Sequence, residues 1–138
     1  MRNLMGVALA LLSAPTVAAE TFVLRLNEHQ LHAEYASTPA QRERGLMERS
    51  ELAPDAGMLF RFDETRRHCL WMKNTPLPLS AAFLDEQGHI VDVIDLEPLS
   101  EQIRCSRKPA RYALETNRGW FDSRGMGEGT PVLGIPEK

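Results

Sequence analysis

The chain has 138 residues, 43% of them hydrophobic, with 16 Lys and Arg against 19 Asp and Glu and a formal charge of −3. That length fits one domain with a real core. No basic run or basic amphipathic stretch occurs, so nothing in the composition favours nucleic acid or an anionic membrane surface as a partner.

Residues 1 to 19, "MRNLMGVALALLSAPTVAA", place Arg2 ahead of an apolar stretch from Leu4 to Leu12, with small residues before Glu20. This is the layout of a secretory signal peptide cleaved after Ala19. The apolar stretch is shorter than the ~20 residues that span a bilayer. No cysteine follows it to carry a lipid anchor. The expected product is a single domain over residues 20–138, periplasmic or secreted, with no membrane span after cleavage and a formal charge of −4 once Arg2 is lost.

Phe22, Leu24 and Leu26 alternate along one short run, and Leu31, Ala33 and Tyr35 along the next. With "NEHQ" between them, residues 22 to 35 are expected to form a hairpin. Thr38, Pro39 and Gln41 then have the spacing of a capping box with proline in the first helical turn, which predicts a helix from Pro39 to about Met47. A loop, "SELAPDAG", precedes a strand over Met58 to Phe62, and "DETRRH" reads as a polar connection. Cys69 to Lys73 is expected as a strand, stopped by "NTPLP", whose two prolines cannot donate to a ladder.

Residues 81–84 and 90–96 flank Asp85-Glu86-Gln87-Gly88, a four-residue hairpin turn with glycine at the left-handed position. The apolar residues of the second arm are split between both faces, which fits a strand covered on each side. "ARYALET" alternates again, with Tyr112, Leu114 and Thr116 opposite Ala113 and Glu115. Asn117 can cap a short helix over "RGWFDSR", ended by Gly125, and "MGEGTPVLGI" reads as a turn and a short strand. Strands recurring every 8 to 14 residues with one or two short helices predict a mainly β fold, a compact sandwich or barrel.

No glycine-rich phosphate loop, nucleophile elbow, Cys-x-x-Cys or His-Glu-x-x-His occurs, and no pattern calls for a cofactor. His29 and His89 read as turn residues and His32 as solvent-facing. His68, Cys69, Met72, Met47 and Met58 form a conceivable soft donor set for Cu(I). Against it, each methionine stands beside an apolar residue and can be core filling, and Cys69 and Met72 point to opposite faces of an extended strand. Cys69 and Cys105 can equally be two thiols or a disulfide, which would close a loop of ~37 residues and contribute roughly 4 kcal/mol. In the same strand Cys69, Trp71 and Lys73 share one face. An aromatic plane beside a cation, followed by Asn74, resembles the lining of a polar-ligand pocket. The plainer alternative has Trp71 in the core and Lys73 with a packed stem and a wet ammonium. Glu115 is either an outward strand residue or a charge partner for Arg42 or Lys73. Burial would require pairing or a change of protonation.

"RERGLM" at 42–47, "GMLFRF" at 57–62, "CLWMKNTPLPLSAAFLDEQGHIVDV" at 69–93 and "ARYALETNRGWFDSRGMGEG" at 110–129 together resemble the successive blocks of domain of unknown function 192. The resemblance implies a small bacterial or archaeal protein, often exported and mainly β, and it implies no reaction or ligand. Arg42, Gly45, Met47, Gly57, Met58, Trp71, Met72, Lys73, Asn74, Thr75, Glu115 and Gly119 stand at its motif positions. Where the family motif carries aspartate, this chain has Ser80.

These observations lead to an expected binding or accessory protein with a groove near Arg42, Trp71, Lys73, Asn74 and Glu115 for a small polar or anionic molecule, or for an envelope protein. Two alternatives accompany it. One is a hydrolase of an envelope component with Glu115 as general acid or base and Lys73 as an electrostatic stabiliser. The other is soft-metal handling by the donor set above.

Overall fold

A computed structural model describes Gly6 and residues 20–137, so the signal peptide expected over residues 1–19 lies, apart from Gly6, outside the described residues. Strands β1 (Thr21–Leu26) and β2 (His29–Ala36) form the expected hairpin. Its turn is shorter than expected. Leu26 pairs with His29, and Asn27, at φ 54, takes the left-handed conformation that a two-residue turn demands.

Helix α1 spans Pro39–Arg44 and begins with the predicted capping box. The Gln41 amide donates to Thr38 Oγ1 at 3.2 Å, while Gln41 Oε1 accepts from the Thr38 amide at 3.2 Å. The helix stops short of Met47 because Gly45 turns the chain at φ 46, its N–H donating to the Gln41 carbonyl. A Cβ on Gly45 would stand 3.1 Å from the Phe60 ring.

Strand β3 runs through Ala56–Arg66, absorbing most of what reads as a polar connection, because Arg66 re-pairs with Ala110 after a register shift. Strand β4 is only Cys69–Leu70, much shorter than the predicted Cys69–Lys73. Its partner is the equally short β7 (Arg104–Cys105), with Cys69 directly opposite and disulfide-bonded to Cys105. Beyond Leu70 the chain leaves the ladder, and Asn74 at φ 56 turns it into the prolines. Strands β5 (Leu79–Leu84) and β6 (Ile90–Leu96) form the second predicted hairpin, with Gly88 at φ 79. Strand β8 covers Ala110–Asn117, and β9 is Val132–Leu133. In place of the helix expected after Asn117 there is a single 3-10 turn, Asp122–Arg124, ended by left-handed Gly125. Asn117 is not its cap. Its amide nitrogen donates to the carbonyls of Leu52 and Ala53 at 2.9 and 3.1 Å.

The sheet order is β6-β5-β8-β3-β2-β1-β9, and the sheet curls into a half-barrel. Residues 129–132 link its two ends: Ile90 exchanges hydrogen bonds with Thr130 and Gly129, while β9 pairs with β1. Every strand pair is antiparallel except β2 with β3. One face of the sheet buries Leu24, Leu31, Leu59, Leu84 and Leu114 beneath Trp120, Phe121 and Met126. The other buries Met58, Phe60, Phe62, Leu79, Phe83 and Ala113 beneath Leu46, Met72 and Leu77. Successive residues of β3 therefore serve opposite cores, as strand geometry requires.

Gly57 sits between Ala33 and Thr116 at the crowded centre of the sheet. A Cβ there would lie 2.5 Å from the Glu115 carbonyl oxygen and 3.1 Å from Leu31 Cδ2. Gly57→Ala is therefore expected to destabilise the fold by about 1–3 kcal/mol in urea denaturation, the scale of overpacking. Gly127→Ala, with open space around it and no positive φ, is the control and should leave the midpoint almost unchanged.

Candidate functional site

A cleft of about 230 Å³ lies where the second face of the sheet meets two irregular segments, 42–47 and 69–75. Phe60, Phe62 and Glu115 come from the sheet; Arg42 from α1, and Gly45 and Met47 from the chain just after it; Trp71, Met72 and Thr75 from the chain that follows β4. Arg42, Trp71 and Glu115 are thus brought together. Lys73 and Asn74, expected in the same groove, are exposed and stand outside its lining. The physical reason is the early end of β4. Past Leu70 the chain turns, so Lys73 stays beside Trp71 but lies beyond the cleft. Lys73 Nζ lies 5.3 Å from the centre of the Trp71 ring, and the Asn74 carbonyl accepts from the Glu48 amide at 2.7 Å.

Arg42 is largely occupied with holding α1 to β3. Its Nη1 donates to the carbonyls of Ser37 and Arg61 at 2.7 and 2.9 Å, and Nη2 to Asp63 Oδ2 at 3.2 Å. It contributes positive charge to the cleft but does not meet Glu115. Trp71 is 41% exposed and forms an open wall. Met72 next to it is buried, its amide fixed to the Ser100 carbonyl at 2.9 Å.

Glu115 is the unusual member. Cross-strand pairing places it in one row with Ala81 on β5, Met58 on β3 and, beyond Met58, Glu34 on β2. Glu34 is neutralised by Arg49, which reaches both its carboxylate oxygens at 2.5 and 2.8 Å. Glu115 is 5% exposed and, among the described residues, has no hydrogen-bond or ion-pair partner for its side chain. It is thus neither an outward strand residue nor a charge partner of Arg42 or Lys73. The alternative consequence of burial holds instead: desolvation pushes its carboxyl up to about 8. At neutral pH the cleft therefore has an uncharged acid in its wall, able to donate as well as accept.

The soft donor set is divided among three places. Met47, Cys69 and Met72 line the cleft, but Met58 opens to a neighbouring hollow beside Glu34 and Arg49. His68 stacks on Phe62 at 3.7 Å, its Nε2 2.8 Å from the Glu64 carbonyl, and burial pulls its pKa below the ordinary value. Cys69 is committed to its disulfide. Among the described residues no group of three His, Cys, Asp or Glu side chains is placed to hold a metal.

Several site features escape sequence reasoning. Phe60 and Phe62 line the cleft, and the only signal for this is their alternation with Leu59 and Arg61 in a strand of unknown orientation. Ser80, where the family motif has aspartate, donates to Asp95 Oδ1 at 2.9 Å and accepts from the Gly119 amide at 3.0 Å. Asp95 faces it across the β5–β6 pair, so a carboxylate is supplied to this spot from the adjacent strand.

A model of an uncharacterized family, DUF192, matches residues 22–133. Two solved structures share the fold. A Sinorhizobium meliloti 1021 protein described as a "putative transcription regulator" is 41% identical over 87% of this chain and 98% of its own, with a TM-score of 0.81. A protein of unknown function from Novosphingobium aromaticivorans DSM 12444 is 25% identical over 88% of this chain and 90% of its own, also with a TM-score of 0.81. No curated protein matches. With nearly all the described strands inside the matched region, this chain belongs to the DUF192 family.

Proposed function

We propose that the cleft binds a small molecule with an apolar body and a polar or anionic head, and that the protein acts as an exported binding or accessory factor. The observation that carries this reading is Glu115, buried beside open space, without a partner and uncharged at neutral pH. A core that had no use for a hydrogen-bonding group there would be more stable with an apolar residue, since an unmet carboxyl costs a few kcal/mol. A ligand carboxylate, phosphate or carbonyl can accept the Glu115 proton. Phe60, Phe62 and Met72 surround its apolar part, and Trp71 offers a stacking surface. Arg42 and Arg44 stand in the lining beside Glu43, and with Glu115 uncharged that balance favours an anion over a cation.

A second reading also draws on Glu115. A carboxyl that keeps its proton near neutrality has the state a general acid needs, so hydrolysis of an envelope component remains the alternative. Lys73, outside the cleft, does not serve as the stabiliser in that scheme. Any turnover that depends on Glu115 and vanishes in Glu115→Gln, with a bell-shaped pH profile, would replace the binding reading with this one.

Binding is tested with a panel of small carboxylates and phosphate esters, read by calorimetry. Affinity for an anionic hit should be flat below pH 7 and fall above about 8, as Glu115 ionises and repels it. Glu115→Gln should bind without that alkaline loss. Trp71→Ala should weaken binding about tenfold, roughly 1.4 kcal/mol, with an unchanged melting temperature. Equal loss of fold and binding would instead assign Trp71 a structural role.

The same carboxyl makes stability depend on pH. Its folded pKa is raised from 4.5 to about 8, so its contribution is fully present below the lower value and is lost as pH rises through the upper one. Relative to Glu115→Gln, the natural chain should lose stability steadily as pH rises between those limits and level off above the upper one in denaturant titrations. Export has its own check. The mature protein recovered from a secreting bacterium should begin at Glu20 by intact mass, with Cys69 and Cys105 oxidised, as suits an oxidising compartment.

A further inference from the structure

Outside the cleft, the chain carries a strap formed by residues 69–75 and 97–106. The Cys69–Cys105 disulfide, the Leu70–Arg104 pair and two backbone bonds, Met72 to Ser100 and Leu99 to Thr75, hold its two segments together. These anchors bracket Trp71 and place Leu99 and Ile103 on the facing segment. All three are among the few large apolar side chains left exposed, at 41%, 60% and 65%. Leu99 and Ile103 stand on a loop outside the cleft, and Trp71 sits at the cleft's rim.

Cations stand on or next to the same two segments. Arg67 and Arg104 donate only to carbonyl oxygens, those of Ser106 and Asp95, and Lys73 lies over the Trp71 ring. Among the described residues none of the three is ion-paired, so their charge is uncompensated. Of the acids within the strap, Glu97 is tied to Arg118, which leaves Glu101 as the opposing charge. The chain as a whole is acidic, so these basic residues run against the average.

We propose that the strap docks on an anionic phospholipid surface, with Leu99 and Ile103 entering the acyl boundary, Trp71 at headgroup level, and Arg67, Lys73 and Arg104 on the phosphates. Exposed apolar side chains set among cations suit a fluid interface, where indoles settle at the headgroups and basic side chains reach the phosphates from apolar stems. A stable protein interface needs a continuous surface of at least ~1,000 Å², whereas a lipid surface can take up a few apolar side chains set among cations. Because Trp71 also lines the cleft, docking would turn the mouth of the cleft towards the lipid. The inference stands whether or not the cleft binds a small molecule.

The test is flotation of the chain from Glu20 onward, which contains every described strand, with phosphatidylglycerol-containing and pure phosphatidylcholine vesicles. Partition into the anionic vesicles should be at least tenfold stronger at low salt and should weaken as salt is raised, since each basic residue near an anionic surface adds to the attraction and salt screens it. Leu99→Ser with Ile103→Ser should reduce it by a similar factor at an unchanged melting temperature, and Lys73→Gln should reduce it severalfold. Equal flotation with both vesicle types, or flotation indifferent to these variants, overturns the proposal. So does a concentration-dependent dimer that the Leu99→Ser, Ile103→Ser variant abolishes, which would make the strap a contact between copies.

Discussion

The parallel pairing of β2 with β3 is the constraint on which the candidate site depends. Antiparallel neighbours can be joined by a tight turn, but a parallel pair obliges the chain to travel back along the sheet before the second strand begins. Residues 37–55 make that return, and Leu46 and Leu52 bury their side chains on the face that carries Met58, Phe60 and Phe62. The capping box at Thr38 starts the crossing in a set direction, and Gly45 bends it back against Phe60. The cleft is the space left between this crossing, the chain after β4 and the sheet. Arg42, whose carbonyl partners lie on both the crossing and β3, fixes the gap between them.

Within that geometry Glu115 is a local inconsistency. Its strand is central, flanked by β3 and β5, and both of its faces are covered. A neighbouring glutamate in the same row, Glu34, shows what full satisfaction looks like, with a bidentate arginine over it. Glu115 receives no such partner and remains uncharged instead. Folded chains depart from locally consistent choices mainly where function requires it. The contrast between two carboxylates separated by one methionine is sharper than either residue alone.

What the sequence discloses is what neighbours in the chain decide. Both hairpins, the capping box and the glycines that end turns follow from a few adjacent residues, and the structure has them. The boundaries that move are those set by remote partners. β3 lengthens because Ala110 is available to Arg66, and β4 shortens because β7 offers only two residues. Alternation in "ARYALET" separates Glu115 from Leu114 but does not assign an outside, since Ala113, Leu114, Glu115 and Thr116 are all buried. Alternation in "CLWMK" is echoed in burial, with Met72 in and Trp71 and Lys73 out, although the strand has already ended. Lys73 and Arg104, 31 positions apart in the chain, come onto the same disulfide-tied strap, which no count along the sequence reveals.

The link between residues 129–132 and the two ends of the sheet bears on how copies of this protein behave together. An open sheet end is a template on which another chain can add a strand, and repeated addition produces fibres. Here Thr130 and Gly129 occupy the backbone of Ile90, while the carbonyls of Asp95 and Leu96 accept from Arg104 and Arg118. Strand exchange would have to strip away two guanidinium groups and a stretch of backbone before growth could start. A four-residue seam and two arginines thus cover backbone that a mostly β chain of this size would otherwise offer to another copy.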